Sequence, residues 1–325
     1  MWFLSAPANP EPRDGTVLPG GVVVAWSPAY RVSFFGIERL HPFDIAKLDS
    51  IAGSLMDEGL LTEADFWIPE AIGDDALAAV HDPAYLASLH QTPVLSQALE
   101  VPVPDVFPES VVERRVRHAF RKAVGGTVLA MRGALKHGVG INVGGGFHHA
   151  RPALGHGFCI YNDVAYALHV ARAEGFSGRV LIVDTDAHQG DGNHSAFADD
   201  PSVTAFSLHG GHLFPEPKVP GDADYELPPH IRDAEYLAVL DRALGAALTE
   251  PVDLIVHVAG SDVLADDPLA DLGMTPDGLV ERDLRVFRAA RSRGIPVLHL
   301  LAGGYGPSSA RAQSASLAAL LREAR

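Results

Sequence analysis

The stretch VLIVDTDAHQGDGNH, residues 180–194, sets a run of branched apolar residues directly against a series of acids and histidines. Val180 to Val183 lack the alternation of a half-exposed strand. A continuous apolar run suits a strand covered on both faces, as in a parallel sheet flanked by helices. The polar residues then fall beyond the carboxyl end of the strand, where open parallel sheets bind their ligands. Asp184, Asp186 and His188 recur at intervals of two, so an extended backbone would carry all three on one side.

The same arrangement repeats outward from this segment. Candidate strands at 21–26, 139–144, 179–184, 203–208, 253–260 and 295–304 alternate with helical periodicity near 43–58, 109–136, 162–174, 232–249, 276–293 and 307–323. Thr275 and Pro276 supply a cap and a first-turn residue for the fifth helix. The alternation predicts an α/β protein: a single doubly wound domain with a mostly parallel central sheet and helices on both faces. Residues 1–20 read as an irregular lead-in and 21–325 as the domain. The Pro- and Gly-rich stretches 96–108 and 209–230 read as long surface loops.

DTDAHQGDG, SLHGGH, AGSDVLADDP and AGGYG each follow an expected strand, so four polar segments face one rim. Asp186 and His188 can share a metal ion, and Asp262 is the best third ligand. One imidazole and two carboxylates suit zinc with a position left open for water. The plain alternative is a polar loop whose aspartate caps the next helix, which is credible for Asp191 but weak for the whole run. NVGGGFHHA adds His148 and His149 behind three glycines, and a carboxylate beside each ring could orient and charge it. Tyr305 in AGGYG could donate to an oxyanion, although that tetrad alone is more often an ordinary turn.

Composition narrows the functional classes. With 47% hydrophobic and 20% charged residues in 325, the chain can bury a large core. A net charge of −16 argues against a phosphate-binding surface, and so against nucleic acid; it could attract cationic partners such as lysine-rich peptides or polyamines, and simple solubility is at least as good a reading of the charge alone. Cys159 is the one cysteine, which excludes an internal disulfide and a multi-cysteine zinc site. The N-terminal MWFLSAPANPEPRDG lacks the pattern of a signal peptide, and no apolar run has membrane-spanning length. A cytoplasmic location is the expectation.

GGGFHHA, GHGFCIYND, DTDAHQGDGNH, GSDVLADDPL and GGYG, in this order, resemble the zinc-dependent histone deacetylase family of the arginase/deacetylase superfamily and its bacterial relatives. SPAYRVSFFGIERLHPFDIAK, INVGGGFHH and DAHQGDG look most like the class IV branch. The resemblance runs from about Val22 to the last helix. It implies that Asp186, His188 and Asp262 bind one catalytic zinc, and that His148 and His149 are the catalytic pair, with Asp184 and Asp191 as their carboxylates. It further implies that Tyr305 polarises the substrate carbonyl, that Gly157, Phe158 and Phe214 wall a tunnel for the lysine side chain, and that Met274 stands at its base or rim.

A potassium ion is implied beside Asp184, Asp186 and His188 with Ser207 and Leu208. Phe197 and Val203 match part of a second such site whose remaining ligands the sequence does not supply. Asp105 is a loose counterpart of the rim aspartate that holds the substrate backbone in other branches, and Cys159 is expected to be buried and structural. The implied reaction removes acyl groups, acetyl or long-chain fatty acyl, from lysine side chains of proteins. An acetylpolyamine deacetylase would use the same metal residues. A dimanganese ureohydrolase would need a second set of metal aspartates, and a non-catalytic acyl-lysine binder would be expected to lack Tyr305 or a zinc ligand.

Overall fold

In the computed structural model, which describes residues 8–44 and 46–325, the apolar runs become eight strands of one sheet. They are β1 (Val22–Ala25), β2 (Phe66–Trp67), β3 (Val139–Asn142), β4 (Val180–Asp184), β5 (Val203–Gly210), β6 (Ala223–Leu227), β7 (Leu254–Val258) and β8 (Val297–Leu300). The order across the sheet is β2-β1-β3-β8-β7-β4-β5-β6, and every pairing is parallel.

The helices are α1 (Lys47–Asp57), α2 (Asp74–Leu77), α3 (Pro83–Ser88), α4 (Thr92–Leu99), α5 (Glu109–Val112), α6 (His118–His137), α7 (Asp163–Ala173), α8 (Asp191–Phe197), α9 (Asp233–Ala247), α10 (Pro276–Arg291) and α11 (Ser309–Ala324). Successive strand side chains point to opposite faces, and here both faces are covered. Leu181, Val183 and Ile255 pack with Ile51, Leu240, Val286 and Leu317 of α1, α9, α10 and α11. Val180, Ile182 and Val256 pack with Leu95, Val124 and Leu168 of α4, α6 and α7. Two cores, one on each side of the sheet, explain why the central strands show no polar alternation. The expected doubly wound fold is therefore present.

Local chemistry sets the element ends. The Thr275 hydroxyl accepts from Gly278 N at 3.0 Å, and the Asn162 side chain accepts from Ala165 N at 2.8 Å, starting α10 and α7. The helix expected at 109–136 is three joined pieces, α5, a π-helical turn at Glu113–Arg117, and α6. Part of the expected loop at 209–230 is the edge strand β6, in which only Leu227 is buried, so that it lacks an apolar signature. Strand β2 has two residues, too few to show a period. Residues 8–20 hold no helix or strand but are tied down, with Arg13 and Ile68 exchanging backbone hydrogen bonds of 3.0 and 2.8 Å.

Candidate active site

The strand order makes neighbours of the segments that carry polar residues. Because β4 lies beside β7 with Asp184 opposite Val258, the DTDAH loop emerges next to the GSD loop. Because β3 lies beside β8 with Asn142 opposite Leu300, GGGFHH emerges next to AGGYG, and Ala302 N donates to Gly145 O at 3.2 Å.

Asp186, His188 and Asp262 converge at the meeting point. Among the described residues they are the one such group able to hold a metal ion, each offering an atom within 4.8 Å of the others, and all three are buried. His188 Nδ1 lies 3.0 Å from Asp262 Oδ2 and 3.3 Å from Asp186 Oδ1. Backbone amides aim the carboxylates: Gly303 N donates to Asp186 Oδ2 at 2.9 Å and Ala187 N to Asp262 Oδ1 at 2.8 Å. Burial and the neighbouring Asp186 push Asp262 up to about 7. Burial works the same way on Asp186, but His148 and His188 outweigh it and hold that carboxyl well below its usual range. Two carboxylates this close resist joint ionisation unless a cation sits between them. The donor set therefore fits a divalent ion, and its two oxygens and one nitrogen suit zinc.

Gly303 explains the close approach of the tyrosine loop. A Cβ there would lie 2.6 Å from Asp186 Oδ2 and 2.6 Å from Asp262 Oδ2, inside the ligand group itself.

The rings of His148 and His149 lie 4.0 Å apart between centroids, their planes inclined at 41°. His148 Nδ1 is 2.8 Å from Asp184 Oδ2, and His149 Nδ1 is 2.6 Å from Asp191 Oδ1. Burial opposes charge on His148, yet Asp184 and Asp186 lift its pKa to about 9. Burial and the adjacent His148 lower His149 to about 3 against the pull of Asp191. The two rings are thus pushed in opposite directions, His148 toward its charged form and His149 toward its neutral one. Asp191, the first residue of α8, also receives Arg151 Nε at 2.6 Å and His156 Nε2 at 2.8 Å on its other oxygen.

Tyr305 sits between two charged residues that grip its loop. Lys47 Nζ donates to Gly303 O at 3.2 Å and Gly304 O at 3.1 Å, while Asp267 accepts from Tyr305 N at 2.8 Å and Gly306 N at 3.1 Å. Burial lowers the Lys47 pKa to about 8 against the pull of Asp262 and Asp186. Burial, with Asp186 and Asp262 nearby, raises the Tyr305 phenol well above its ordinary value, so its hydroxyl stays a donor.

A cavity of about 150 Å³ opens on these groups, lined by His148, His149 and Tyr305 at the polar end. Gly157 and Phe158 are among its walls, and it extends past Phe43, Leu99 and Val101 to Ala119, Phe120 and Ala123 of α6. Phe158 packs edge-on against Tyr305 at 5.5 Å and His41 at 4.3 Å. Phe214, 38% exposed, meets the His149 ring edge-on at 4.9 Å.

Met274, Ser207, Leu208, Phe197, Val203 and Asp105 are not part of the cavity lining. Met274 is buried in the core, bridged to Leu264. Asp184 and Ser207 are register partners across β4 and β5, with Leu208 next in the strand. Phe197 ends α8 and Val203 begins β5. Asp105 is exposed, two residues from Phe107, which stacks on Phe35. Cys159 is buried against the cavity, and burial pushes its thiol up.

Lys47, Asp267, Arg151 and His156 were not singled out by sequence reasoning. Their sequence signal is slight, because each acts on a backbone or a carboxylate brought close by folding rather than by spacing.

The histone deacetylase domain family matches residues 41–321. Histone deacetylase 2 of Arabidopsis thaliana is 37% identical over 306 residues, covering 93% of this chain and 79% of that protein. An uncharacterized protein of Picosynechococcus sp. is 36% identical over 289 residues, 88% of this chain and 92% of its own. Acetoin utilization protein AcuC of Staphylococcus aureus is 30% identical over 268 residues, 74% of this chain and 66% of its own. The crystal structure of the HDA15 HD domain superposes with a TM-score of 0.75 at 26% identity, covering 93% of this chain and 88% of that one.

Proposed function

Since the chain belongs to the histone deacetylase family and is a hydrolase of amide bonds, we propose that it removes acyl groups from lysine side chains of proteins with one zinc held by Asp186, His188 and Asp262. The observation that carries this reading is the buried Asp-His-Asp group beside two carboxylate-paired histidines, with Tyr305 on the same cavity. When bound, zinc would supply a Lewis acid for the amide carbonyl and for the attacking water.

The protein's own groups account for the proton movements. His149, held neutral, takes a proton from the attacking water on Nε2 and returns it to the amine nitrogen as the C–N bond breaks. The burial that keeps the ring neutral also makes its protonated form a strong acid toward the leaving amine. His148, charged and fixed by Asp184, stabilises negative charge as it develops on the former carbonyl oxygen. Tyr305 donates a hydrogen bond to that oxygen. The water oxygen ends in the carboxylate product, and the lysine amine is freed. Gly157, Phe158 and Phe214 enclose the lysine methylenes.

The class IV resemblance adds a preference for long acyl chains, supported by the apolar extension of the cavity to Ala119 and Ala123. A potassium ion beside Asp184, Ser207 and Leu208 belongs to the same reading, supported by the pairing of Asp184 with Ser207. A reducing compartment such as the cytoplasm suits a chain whose one thiol is buried. Among the described residues no helix is long and apolar enough to cross a membrane.

The test is kcat/KM for matched acetyl-, octanoyl- and myristoyl-lysine peptides and for acetylated polyamines, with metal analysis of the protein used. About one zinc per chain and cleavage of the peptides support the proposal. Turnover confined to polyamines, or two manganese ions per chain, would replace it.

A further inference from the structure

Beneath the metal group lies a second polar cluster that the proposed chemistry does not use. Arg282 of α10 is 0% exposed, and its NH1 donates to two backbone carbonyls, Thr185 O at 3.0 Å and Gly260 O at 2.5 Å. Its Nε and NH2 each lie 2.8 Å from Asp283 Oδ1, and Asp283 Oδ2 accepts from Ser316 Oγ of α11 at 2.5 Å. Tyr236 OH of α9 donates to the same Thr185 carbonyl at 3.2 Å.

The two carbonyls belong to different loops. Thr185 immediately precedes Asp186, and Gly260 stands two residues before Asp262. Between β4 and β7 the backbone bond from Thr185 N to Val258 O, 2.9 Å, continues the pairing one residue past the strand ends, and beyond it Ala187 N turns to the Asp262 side chain. From residue 186 onward the backbone pairing ends, and the loops are joined through the side chain of Asp262 rather than backbone to backbone. Arg282 spans that gap from below, and the gap is narrow: a Cβ on Gly260 would collide with Asp186 Oδ2.

A buried guanidinium is costly to desolvate; here Nε and NH1 are hydrogen-bonded, while NH2 has only its ion-pair contact with Asp283. A hydrophobic side chain could fill the same volume but would leave the Gly260 carbonyl without this donor and Thr185 O with Tyr236 alone. Asp283 neutralises the charge locally, and Ser316 fixes Asp283, so the cation is held from α10 and α11 rather than by the loops it joins.

We propose that Arg282 is a positioning residue for the metal site, a fixed cation that ties the Asp186 loop to the Asp262 loop and sets the separation of the ligands. The inference rests on the reading that Asp186, His188 and Asp262 hold zinc. Outer groups that orient metal ligands typically change affinity about 10- to 100-fold when removed.

The experiment uses the full chain as wild type, Arg282→Met and Arg282→Lys. Zinc affinity is read by competition with a chelator, and Tm is read with zinc and after its removal. Arg282→Met should bind zinc at least about tenfold more weakly and show a smaller zinc-induced rise in Tm. Arg282→Lys, which keeps charge but not the two-carbonyl span, should fall between it and wild type. Equal loss of Tm with and without zinc, at unchanged affinity, would reduce Arg282 to structural support and overturn the proposal. If the Met variant does not fold, the Lys variant decides: affinity within about twofold of wild type overturns it. A wild-type chain that bound no zinc would instead sink the metal reading itself.

Discussion

His148 and His149 lie ring to ring, with centroids 4.0 Å apart, yet their Nδ1 atoms reach different carboxylates, Asp184 at 2.8 Å and Asp191 at 2.6 Å. Separate partners let adjacent rings hold different charge states. Two neighbouring imidazolium ions would repel, so the ring nearer two carboxylates, His148, takes the proton and lowers the basicity of the other.

The first prediction follows from that division. Replacing His149 with Gln should reduce kcat by at least about 100-fold, the low end for a positioned acid-base group. Replacing His148 with Gln should cost less, because it removes an electrostatic partner and leaves the proton carrier. Single-turnover rates on one acyl-lysine peptide would compare them, and a larger loss for His148 would exchange the two roles.

Tyr305→Phe keeps the ring that packs on Phe158 and Phe43 but removes the donor. The loop stays gripped by Lys47 and Asp267, so folding should be unchanged while kcat falls by roughly 100-fold or more. Wild-type turnover with an unshifted Tm would take Tyr305 out of the mechanism.

The sequence showed these two groups more clearly than it showed what supports them. Asp184, Asp186 and His188 were legible because a strand end followed by polar residues at intervals of two has a direct geometric meaning. Asp262 was legible as another strand end, and its neighbour strand follows from the β7–β4 pairing seen in the fold. Lys47 was not: it sits 256 residues from Gly303 in the chain, and nothing local separates a lysine aimed at a buried carbonyl from one in water. Strand β6 escaped for the opposite reason, because an edge strand with half-exposed residues has the composition of a loop. Met274 was placed by likeness at the base or rim of the tunnel; it is buried beside the Asp262 loop, its amide on Val263 O at 3.1 Å.

Gly303→Ala is the sharpest test of how tightly the tyrosine loop abuts the ligands. The added methyl would sit 2.6 Å from an oxygen of Asp186 and 2.6 Å from one of Asp262, so the carboxylates or the loop must move. Zinc content after dialysis should drop to a small fraction of wild type, with less change in the Tm of the metal-free protein. Full zinc retention would show that the site is looser than its contacts imply.

Acid stability should depend on a buried histidine pair away from the reacting groups. His257 and His299 face each other, Nδ1 to Nδ1 at 3.2 Å, beneath the sheet's carboxyl end. Burial lowers His299 from 6.5 to about 4, with Asp283 opposing it, and burial with His299 nearby lowers His257 further. Above pH 6.5 the folded and unfolded forms are both neutral. Below it the unfolded chain takes up protons that the folded chain cannot, so stability falls as pH drops from 6.5 toward 4. For His299 the full effect is ~3 kcal/mol. Denaturant unfolding at pH 7.5, 6 and 5 should show this decline, and His299→Asn should make it shallower, with other buried histidines such as His41 and His209 supplying the rest. Equal slopes for the two proteins would exclude the histidine as its source.

The cavity should sort substrates by acyl length, and Ala119 offers a way to test this without touching the reacting groups. It is buried at the α6 end of the cavity, on the same wall as Phe120 and Ala123. Leu at this position fills space that a long acyl chain would occupy but that an acetyl group, held beside His149 and Tyr305, would not reach. Each methylene denied burial costs about 0.8 kcal/mol, so loss of two or three should lower kcat/KM for a myristoyl peptide by roughly 15- to 60-fold. Acetyl-peptide turnover should remain within about twofold, which also reports that the fold is intact. If both substrates lose equally, the added side chain has disturbed the site as a whole; if neither changes, the acyl chain takes another path and the α6 extension of the cavity does not select for length.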